Sequence, residues 1–254
     1  MSLAASALAY GYREREIGRD IELALKAGEV MALLGPNGHG KTTLLKTLLG
    51  LLPARGGGLS LDGQPLAALG IGARARALGY VPQAHAGTFA FTVAEIVLMG
   101  RTAHAGLFAA PSAHDRAVAR AMLERLGIAA LAKRPYTEIS GGERQLALVA
   151  RALAQEPRYI ILDEPTASLD FGNQGKVMAQ IRRLAAEGLG VLFTTHDPNQ
   201  ALRYADRVML LRDGRALASG PAAALLTPDN LVALYGSAVE TVRDADGRLA
   251  FLPG

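Results

Sequence analysis

The sequence contains no cysteine and no tryptophan, and aromatic residues make up only 5% of its 254 positions. The lack of cysteine excludes a disulfide framework and any metal site built on thiolates. No apolar run approaches the roughly 18 residues that a bilayer-spanning helix needs. The start of the chain lacks the positive charges that open a secretory signal peptide, so we expect a cytoplasmic protein.

The composition indicates a folded domain with an ordinary polar surface. Half of the residues are apolar, which supplies a sizeable core and argues against disorder. The 27 basic and 23 acidic residues give a net charge of +4, and no basic tract concentrates it. This balance favours a solvated surface over a nucleic-acid partner. The length allows one large domain or a core with an inserted subdomain.

The most specific motif is a phosphate-binding loop. Residues 35–42 are G-P-N-G-H-G-K-T, which matches the pattern G-x-x-x-x-G-K-[ST]. The apolar run 30–34 before the loop has the length of a strand, and the leucines within 42–49 have the spacing of an amphipathic helix. A strand and a helix are the flanks that this motif requires, so the sequence predicts a nucleoside triphosphate site.

Each residue type in the loop has a physical role. Backbone N–H groups at the glycines can surround phosphate oxygens, and the helix N-terminus adds its positive dipole end. Lys41 can neutralise charge on the β- and γ-phosphates, and the Thr42 hydroxyl can ligate Mg²⁺. The predicted nucleotide contacts in the loop are Gly35, Pro36, Asn37, Gly38, His39, Gly40, Lys41, Thr42 and Thr43.

Two carboxylates follow a second strand-like run, I-I-L-D-E at residues 160–164. A buried parallel strand delivers its last residues to the carboxyl edge of the sheet, beside the phosphate loop. Asp163 is then placed to hold Mg²⁺, and Glu164 to orient or deprotonate an attacking water. The pair could instead cap the next turn, but its position behind an apolar strand favours the catalytic interpretation.

A second possible anion site lies at residues 140–145, S-G-G-E-R-Q, which open a helix. Ser140 has the side chain of an N-cap, and Gly141 and Gly142 leave N–H groups free at the helix N-terminus. Taken alone, this motif fits a plain helix cap as well as it fits an anion site.

Together and in this order, the motifs resemble those of the ATP-binding cassette ATPases over residues 12–220. The positions that match, besides the phosphate loop, are Gln83, Ser140, Gly141, Gly142, Asp163, Glu164, Asp170 and His196. Two details depart from the commoner pattern, since His39 replaces a small residue and Ile139 and Glu143 flank the Ser-Gly-Gly signature. Neither departure removes a phosphate-binding group.

The resemblance implies a role for each matched residue. ATP and Mg²⁺ are the expected ligands, and Tyr12 is expected to stack on adenine, with Tyr10 as a competitor. Gln83 would contact Mg²⁺ and the attacking water, and His196 the γ-phosphate. The expected catalytic set is Lys41, Gln83, Glu164 and His196, and the expected metal ligands are Thr42, Gln83 and Asp163.

The resemblance also implies a homodimer in which two copies pair head to tail. Ser140, Gly141 and Gly142 of one copy would complete the ATP site of the other, and Asp170 would lie at the interface. The expected fold is α/β, a P-loop NTPase core with a mostly parallel sheet, an antiparallel β subdomain and an inserted helical subdomain. Residues 1–84 and 156–235 would form the core, 85–155 the helical subdomain and 236–254 a tail.

Three segments, 91–108, 194–200 and 231–236, resemble importers of iron chelates, haem, cobalamin and molybdate more closely. The resemblance implies a subunit on the inner face of the cell membrane, bound to integral permease subunits and acting indirectly with a substrate-binding protein. An iron–siderophore is the first expected cargo and molybdate or tungstate the second. Phe89 and Phe91 are candidates for contact with the permease, although Phe91 fits packing beneath the helix that follows it equally well. The alternative is a cytosolic ATPase of the same type without a transport role.

Overall fold

The computed structural model describes residues 1–83, 91–104, 110–167 and 169–254. Its strands are β1 (Ser2–Tyr12), β2 (Arg15–Lys26), β3 (Val30–Leu34), β4 (Gly56–Leu61), β5 (Gln64–Pro65), β6 (Leu78–Val81), β7 (Tyr159–Leu162), β8 (Gly190–Thr195), β9 (Arg207–Arg212), β10 (Arg215–Pro221), β11 (Val239–Arg243) and β12 (Leu249–Pro253). Its helices are α1 (Lys41–Leu48), α2 (Ile71–Ala77), α3 (Val93–Leu98), α4 (Ala113–Arg125), α5 (Gly141–Leu153), α6 (Phe171–Ala186), α7 (Pro198–Tyr204), α8 (Ala222–Leu225) and α9 (Pro228–Tyr235). Phe89 lies outside the described residues.

The central sheet has the strand order β10-β9-β3-β8-β7-β6, and only β10 runs against its neighbour. A second, antiparallel sheet has the order β2-β1-β4-β5. The expected α/β class, with a mostly parallel sheet and an antiparallel β portion, is confirmed. In the part of the chain that the structure describes, no helix is both long and apolar enough to cross a bilayer.

Two apolar layers hold the sheets and helices together, one on each face of the central sheet. Side chains alternate between the faces of a strand, and β3 follows this rule because Val30, Ala32 and Leu34 lie in one layer and Met31 and Leu33 in the other. The first layer is shared with the helices α3 to α9, and the second with α1 and the antiparallel sheet. Burial on both faces explains why β3 and β7 are uninterrupted apolar runs.

The parallel strands end together at one edge of the sheet, where the predicted motifs follow them. The Gly35 N–H, just after β3, donates to the Thr195 carbonyl at the end of β8 at 3.3 Å. The Asp163 N–H, just after β7, donates to the Val81 carbonyl at the end of β6 at 2.9 Å. The loops after β3, β8, β7 and β6 are therefore neighbours, although they are far apart in sequence.

The described residues between 91 and 155 form α3, α4 and α5 and the turns that connect them. A capping box begins α3, because the Glu95 N–H donates to Thr92 Oγ1 at 3.2 Å and the Thr92 N–H to Glu95 Oε2 at 2.7 Å. Helices α3, α4 and α5 contact one another, and α5 also contacts β6 of the core.

Residues 236–254 form a hairpin rather than only a polar tail. Strands β11 and β12 pair in register from Val239 opposite Pro253 to Arg243 opposite Leu249. The side chain of Phe251 is buried in the layer that contains α7 and α9. Most residues of β11 are exposed on both faces, so apolar and polar residues do not alternate clearly along it. The sequence pattern therefore does not reveal the hairpin.

A buried arginine, Arg101, joins α4 to the turn that follows α5. The Arg101 Nε–H donates to Asp115 Oδ1 at 2.9 Å, and its Nη1 donates to the Ala154 carbonyl at 2.8 Å and to Glu156 Oε2 at 2.7 Å. Bonds from Ser112 and from Arg101 hold the pKa of the Asp115 carboxyl well below its usual range. This network holds Asp115 of α4 beside the turn that follows α5.

We expect Arg101→Met to lower the free energy of unfolding by about 3 kcal/mol, because it leaves the buried Asp115 carboxylate without its cation. Urea unfolding followed by circular dichroism measures this loss. Arg120→Met, an exposed arginine of α4, is the matched control and should change stability by less than about 0.5 kcal/mol. Equal effects of the two substitutions would show that the network contributes nothing specific.

Candidate functional site

The phosphate loop connects β3 to α1 with a backbone that only glycine adopts freely. Gly38 and Gly40 have φ values of 82° and 94°, in the left-handed region, and Gly40 caps α1. A Cβ at Gly35 would lie 2.1 Å from the Leu211 carbonyl oxygen, so the loop passes closely over β9. These positions explain the glycine spacing of the motif. They leave main-chain N–H groups at the start of α1 available to an anion.

Lys41 lies inside the loop rather than on the surface. Its ammonium group donates to the Gly35 carbonyl at 2.7 Å, the Pro36 carbonyl at 3.0 Å and Asn37 Oδ1 at 3.3 Å. Burial lowers the pKa of Lys41, while the nearby carboxylates of Glu164 and Asp163 act in the opposite direction. A buried cation so placed is suited to the negative charge of a phosphate.

The two carboxylate residues after β7 are held by one hydroxyl of the next strand. The Glu164 N–H donates to Thr194 Oγ1 at 2.7 Å, and the Thr194 hydroxyl donates to Asp163 Oδ1 at 2.8 Å. Glu164 has a φ of 44°, a strained conformation for a residue with a Cβ. The sequence pattern gives no sign of this role of Thr194, because it arises only from the pairing of β7 with β8 in three dimensions.

Three of the four predicted catalytic residues meet at the Glu164 carboxylate. Glu164 Oε1 lies 3.7 Å from Lys41 Nζ and 3.7 Å from His196 Nδ1. Gln83 is half-buried and follows β6 at the same edge of the sheet. The site thus places a cation, a carboxylate and an imidazole around one point next to the phosphate loop.

The two tyrosines proposed for adenine have very different environments. Tyr10 is fully buried, with 0% of its surface exposed, and a Cβ at Gly40 would lie 3.0 Å from its hydroxyl. Tyr12, at the end of β1, is 48% exposed, and its carbonyl accepts a bond from Arg55 Nη1 at 2.7 Å. A buried ring supporting the loop cannot offer a face to a base, so Tyr12 remains the candidate.

The Ser-Gly-Gly signature begins α5 with a complete capping box. The Glu143 N–H donates to Ser140 Oγ at 3.3 Å, and the Ser140 N–H donates to Glu143 Oε2 at 2.8 Å. A Cβ at Gly142 would lie 2.8 Å from Asn173 Cγ, and Asp170 accepts two bonds from the same asparagine. Among the described residues, no hydrogen bond or ion pair joins this surface to the chain's own phosphate loop.

The donor set is suited to Mg²⁺ bound together with phosphate. Thr42, Gln83 and Asp163 would supply oxygen ligands, and Thr42 is exposed on the first turn of α1. The described residues contain no group of three or more acidic or histidine side chains able to hold a metal alone. Mg²⁺ is commonly held by one or two carboxylates plus substrate phosphates, which fits this set. When bound, the ion would neutralise phosphate charge.

Known proteins share both the sequence and the shape of this chain. The family model described as ABC transporter matches residues 19–167. An uncharacterized ABC transporter ATP-binding protein of Haemophilus influenzae is 41% identical over 240 residues, covering 94% of this chain and 91% of that protein. The hemin import ATP-binding protein HmuV of Burkholderia lata is 41% identical over 264 residues, covering 96% and 97%. A solved ABC transporter described as metal-chelate type and inward-facing has a TM-score of 0.88 and 36% identity, covering 100% of this chain and 97% of that one.

We expect Glu164→Gln to bind ATP normally but to lose about 10²–10⁴-fold in hydrolysis rate, because the amide cannot accept the proton of the attacking water. Phosphate release and equilibrium binding of a fluorescent ATP analogue measure the two properties. Glu124→Gln, an exposed carboxylate of α4, is the control and should leave both unchanged. Near-normal turnover in Glu164→Gln would show that another group is the base.

Proposed function

This chain belongs to the ABC transporter ATPases, and on that premise we propose that it powers the import of haem or another iron chelate through a partner permease. The meeting of Lys41, Glu164 and His196 beside the phosphate loop carries the enzymatic part of the proposal. The cargo rests on the hemin import relatives, 41% identical over nearly the whole chain, and on the metal-chelate type of the structural neighbour. Haem therefore takes precedence over the siderophore expected from sequence.

In the proposed reaction each residue acts through its place in the site. Glu164 accepts a proton from the attacking water or orients that water, and the Thr194 hydroxyl keeps its main chain in place. Lys41 exchanges its bonds to loop carbonyls for bonds to phosphate oxygens. His196, after β8, would contact the γ-phosphate, and Gln83, after β6, would hold the attacking water and Mg²⁺. Tyr12 stacks on the adenine ring.

We further propose that two copies work as a head-to-tail homodimer. The signature at the start of α5 lies beside Asp170 and has no bond to its own phosphate loop among the described residues. The N–H groups at a helix N-terminus favour an anion. In a dimer, Ser140, Gly141 and Gly142 would supply these groups to the ATP bound by the partner, and Asp170 would face the partner across the interface.

The remaining partners follow from the importer role. Integral permease subunits would hold the chain on the inner face of the membrane, and a substrate-binding protein would deliver the cargo on the opposite side. The segment 84–90, which includes Phe89, lies outside the described residues, while Phe91 next to it is exposed at the start of the helical region. No observation favours the alternative of a cytosolic ATPase without a transport role.

The cargo is tested by reconstituting the chain in proteoliposomes with a candidate permease and its substrate-binding protein. We expect the haem-loaded binding protein to stimulate ATP hydrolysis and haem entry, because a loaded binding protein is the signal that couples the permease to the ATPase. The same binding protein offered a ferric siderophore or molybdate is the control. Stimulation by molybdate and not by haem would overturn the proposed cargo while leaving the ATPase assignment intact.

The dimer is tested by Ser140→Arg, which places a bulky cation where the partner's phosphate would bind. We expect one chain to bind ATP with unchanged affinity, while the ATP-dependent dimer no longer forms on a sizing column in a Glu164→Gln background. Ser112→Arg is the matched control, since Ser112 caps α4 with the same kind of capping box. Loss of ATP binding by a single Ser140→Arg chain would place the serine in its own site.

A further inference from the structure

The C-terminal part of the chain reaches back to the loop that carries His196. The Tyr235 hydroxyl, at the end of α9, donates to the His196 carbonyl at 2.8 Å. Burial, together with the nearby Asp197 carboxylate, raises the pKa of Tyr235, so its hydroxyl keeps its proton at physiological pH. The Tyr235 hydroxyl therefore remains able to donate this bond at physiological pH.

This bond holds one end of the peptide group between His196 and Asp197, and a second bond holds the other end. The carbonyl of His196 and the N–H of Asp197 belong to the same peptide unit, and that N–H donates to Thr195 Oγ1 at 3.1 Å. Both polar ends of the unit are thus held, one by a side chain of β8 and the other by Tyr235. A peptide plane held at both ends restricts the ψ angle of His196, and with it the direction in which the imidazole leaves the main chain.

A second set of bonds holds the hairpin against the same turn. The Phe251 N–H donates to Asn199 Oδ1 at 2.7 Å, and Asn199 Nδ2 donates to the Phe251 carbonyl at 3.0 Å. Asn199 lies in the first turn of α7, three residues after His196. Gly236, with a φ of 73°, ends α9 and directs the chain into β11. A cleft of about 500 Å³ between α7, α9 and the hairpin is bordered by His196, Tyr235 and Phe251.

We infer that Tyr235 is a positioning residue for ATP hydrolysis, holding the His196 main chain so that its imidazole stays beside Glu164, with α9 and the C-terminal hairpin as its support. The inference rests on the proposed catalytic role of His196. The imidazole Nδ1 is 3.7 Å from Glu164 Oε1, and its side chain is otherwise half-exposed, so its direction depends on the main chain beneath it. Sequence position alone gives no sign of this link, because 39 residues separate the two partners.

Tyr235→Phe removes only the hydroxyl and is the direct test. We expect kcat to fall about five- to tenfold, the kinetic equivalent of one lost hydrogen bond, with KM for ATP unchanged. Tyr204→Phe, at the far end of α7, is the matched control and should leave kcat unchanged. Rates are normalised to the number of sites that bind a fluorescent ATP analogue, so a partly unfolded sample does not count as a slow enzyme.

A spectroscopic measurement separates positioning from general loss of stability. The chain has five histidines, so the imidazole C–H signal of His196 can be assigned in NMR spectra by its absence from His196→Ala. We expect Tyr235→Phe to shift or broaden that signal and to leave the His114 signal in place, whereas Tyr204→Phe changes neither. An unchanged His196 signal together with an unchanged kcat overturns the inference.

Measuring His196→Ala in parallel separates the proposed role of His196 from the inferred role of Tyr235. If His196→Ala hydrolyses ATP at the normal rate, the proposed role of His196 is wrong and the inference falls with it. If His196→Ala is inactive while Tyr235→Phe has the normal kcat, the proposed function stands and only the inference is overturned. Reduced kcat in both variants, with the NMR change in Tyr235→Phe, supports both.

Discussion

One buried hydroxyl, that of Thr194, holds the two acidic residues that follow β7. It accepts the Glu164 N–H and donates to Asp163, so a single side chain of β8 sets the main chain of one acidic residue and the carboxylate of the other. The strained backbone of Glu164 costs of the order of 1–3 kcal/mol and persists only where surrounding contacts over-determine it. Because β8 lies between β3 and β7, the same strand also carries His196 to the point where Lys41 and Glu164 approach each other.

Sequence reasoning found the parts of the site that depend on local pattern. The phosphate loop and the carboxylates after β7 each have a spacing imposed by short-range geometry, and both follow the strands that the sequence pattern places before them. The parts that it missed depend on contacts between distant segments. Thr194 acts through a neighbouring strand, and the hairpin at 239–253 has too few buried residues on β11 to give a clear alternation.

The stretch after α3 shows why resemblance to a transport subgroup need not report on the cargo. Arg101 and His104 belong to the segment that resembles metal-chelate importers, yet both make internal bonds. Arg101 joins Asp115 to the end of α5, and the His104 ring N–H donates to the Gln155 carbonyl at 2.8 Å. These bonds hold the segment after α3 against α4 and the end of α5, within the helical region. A resemblance carried by such residues therefore describes the geometry that a permease would meet, and only indirectly the substrate that the permease carries.

The unusual histidine of the phosphate loop is accommodated by the same long-range support. His39 Nδ1 accepts the Asp213 N–H at 3.1 Å. Asp213 lies in the turn between β9 and β10, so the larger side chain is directed toward that turn. The strand before this turn places the Leu211 carbonyl against Gly35, and Tyr10 lies beneath Gly40, so three contacts from outside the loop define its path. The His39 side chain is thus bonded to a residue outside the loop. A histidine at position 39 is thus compatible with phosphate binding, because the turn between β9 and β10 supplies a hydrogen-bond partner for its side chain. That turn is not part of the loop motif.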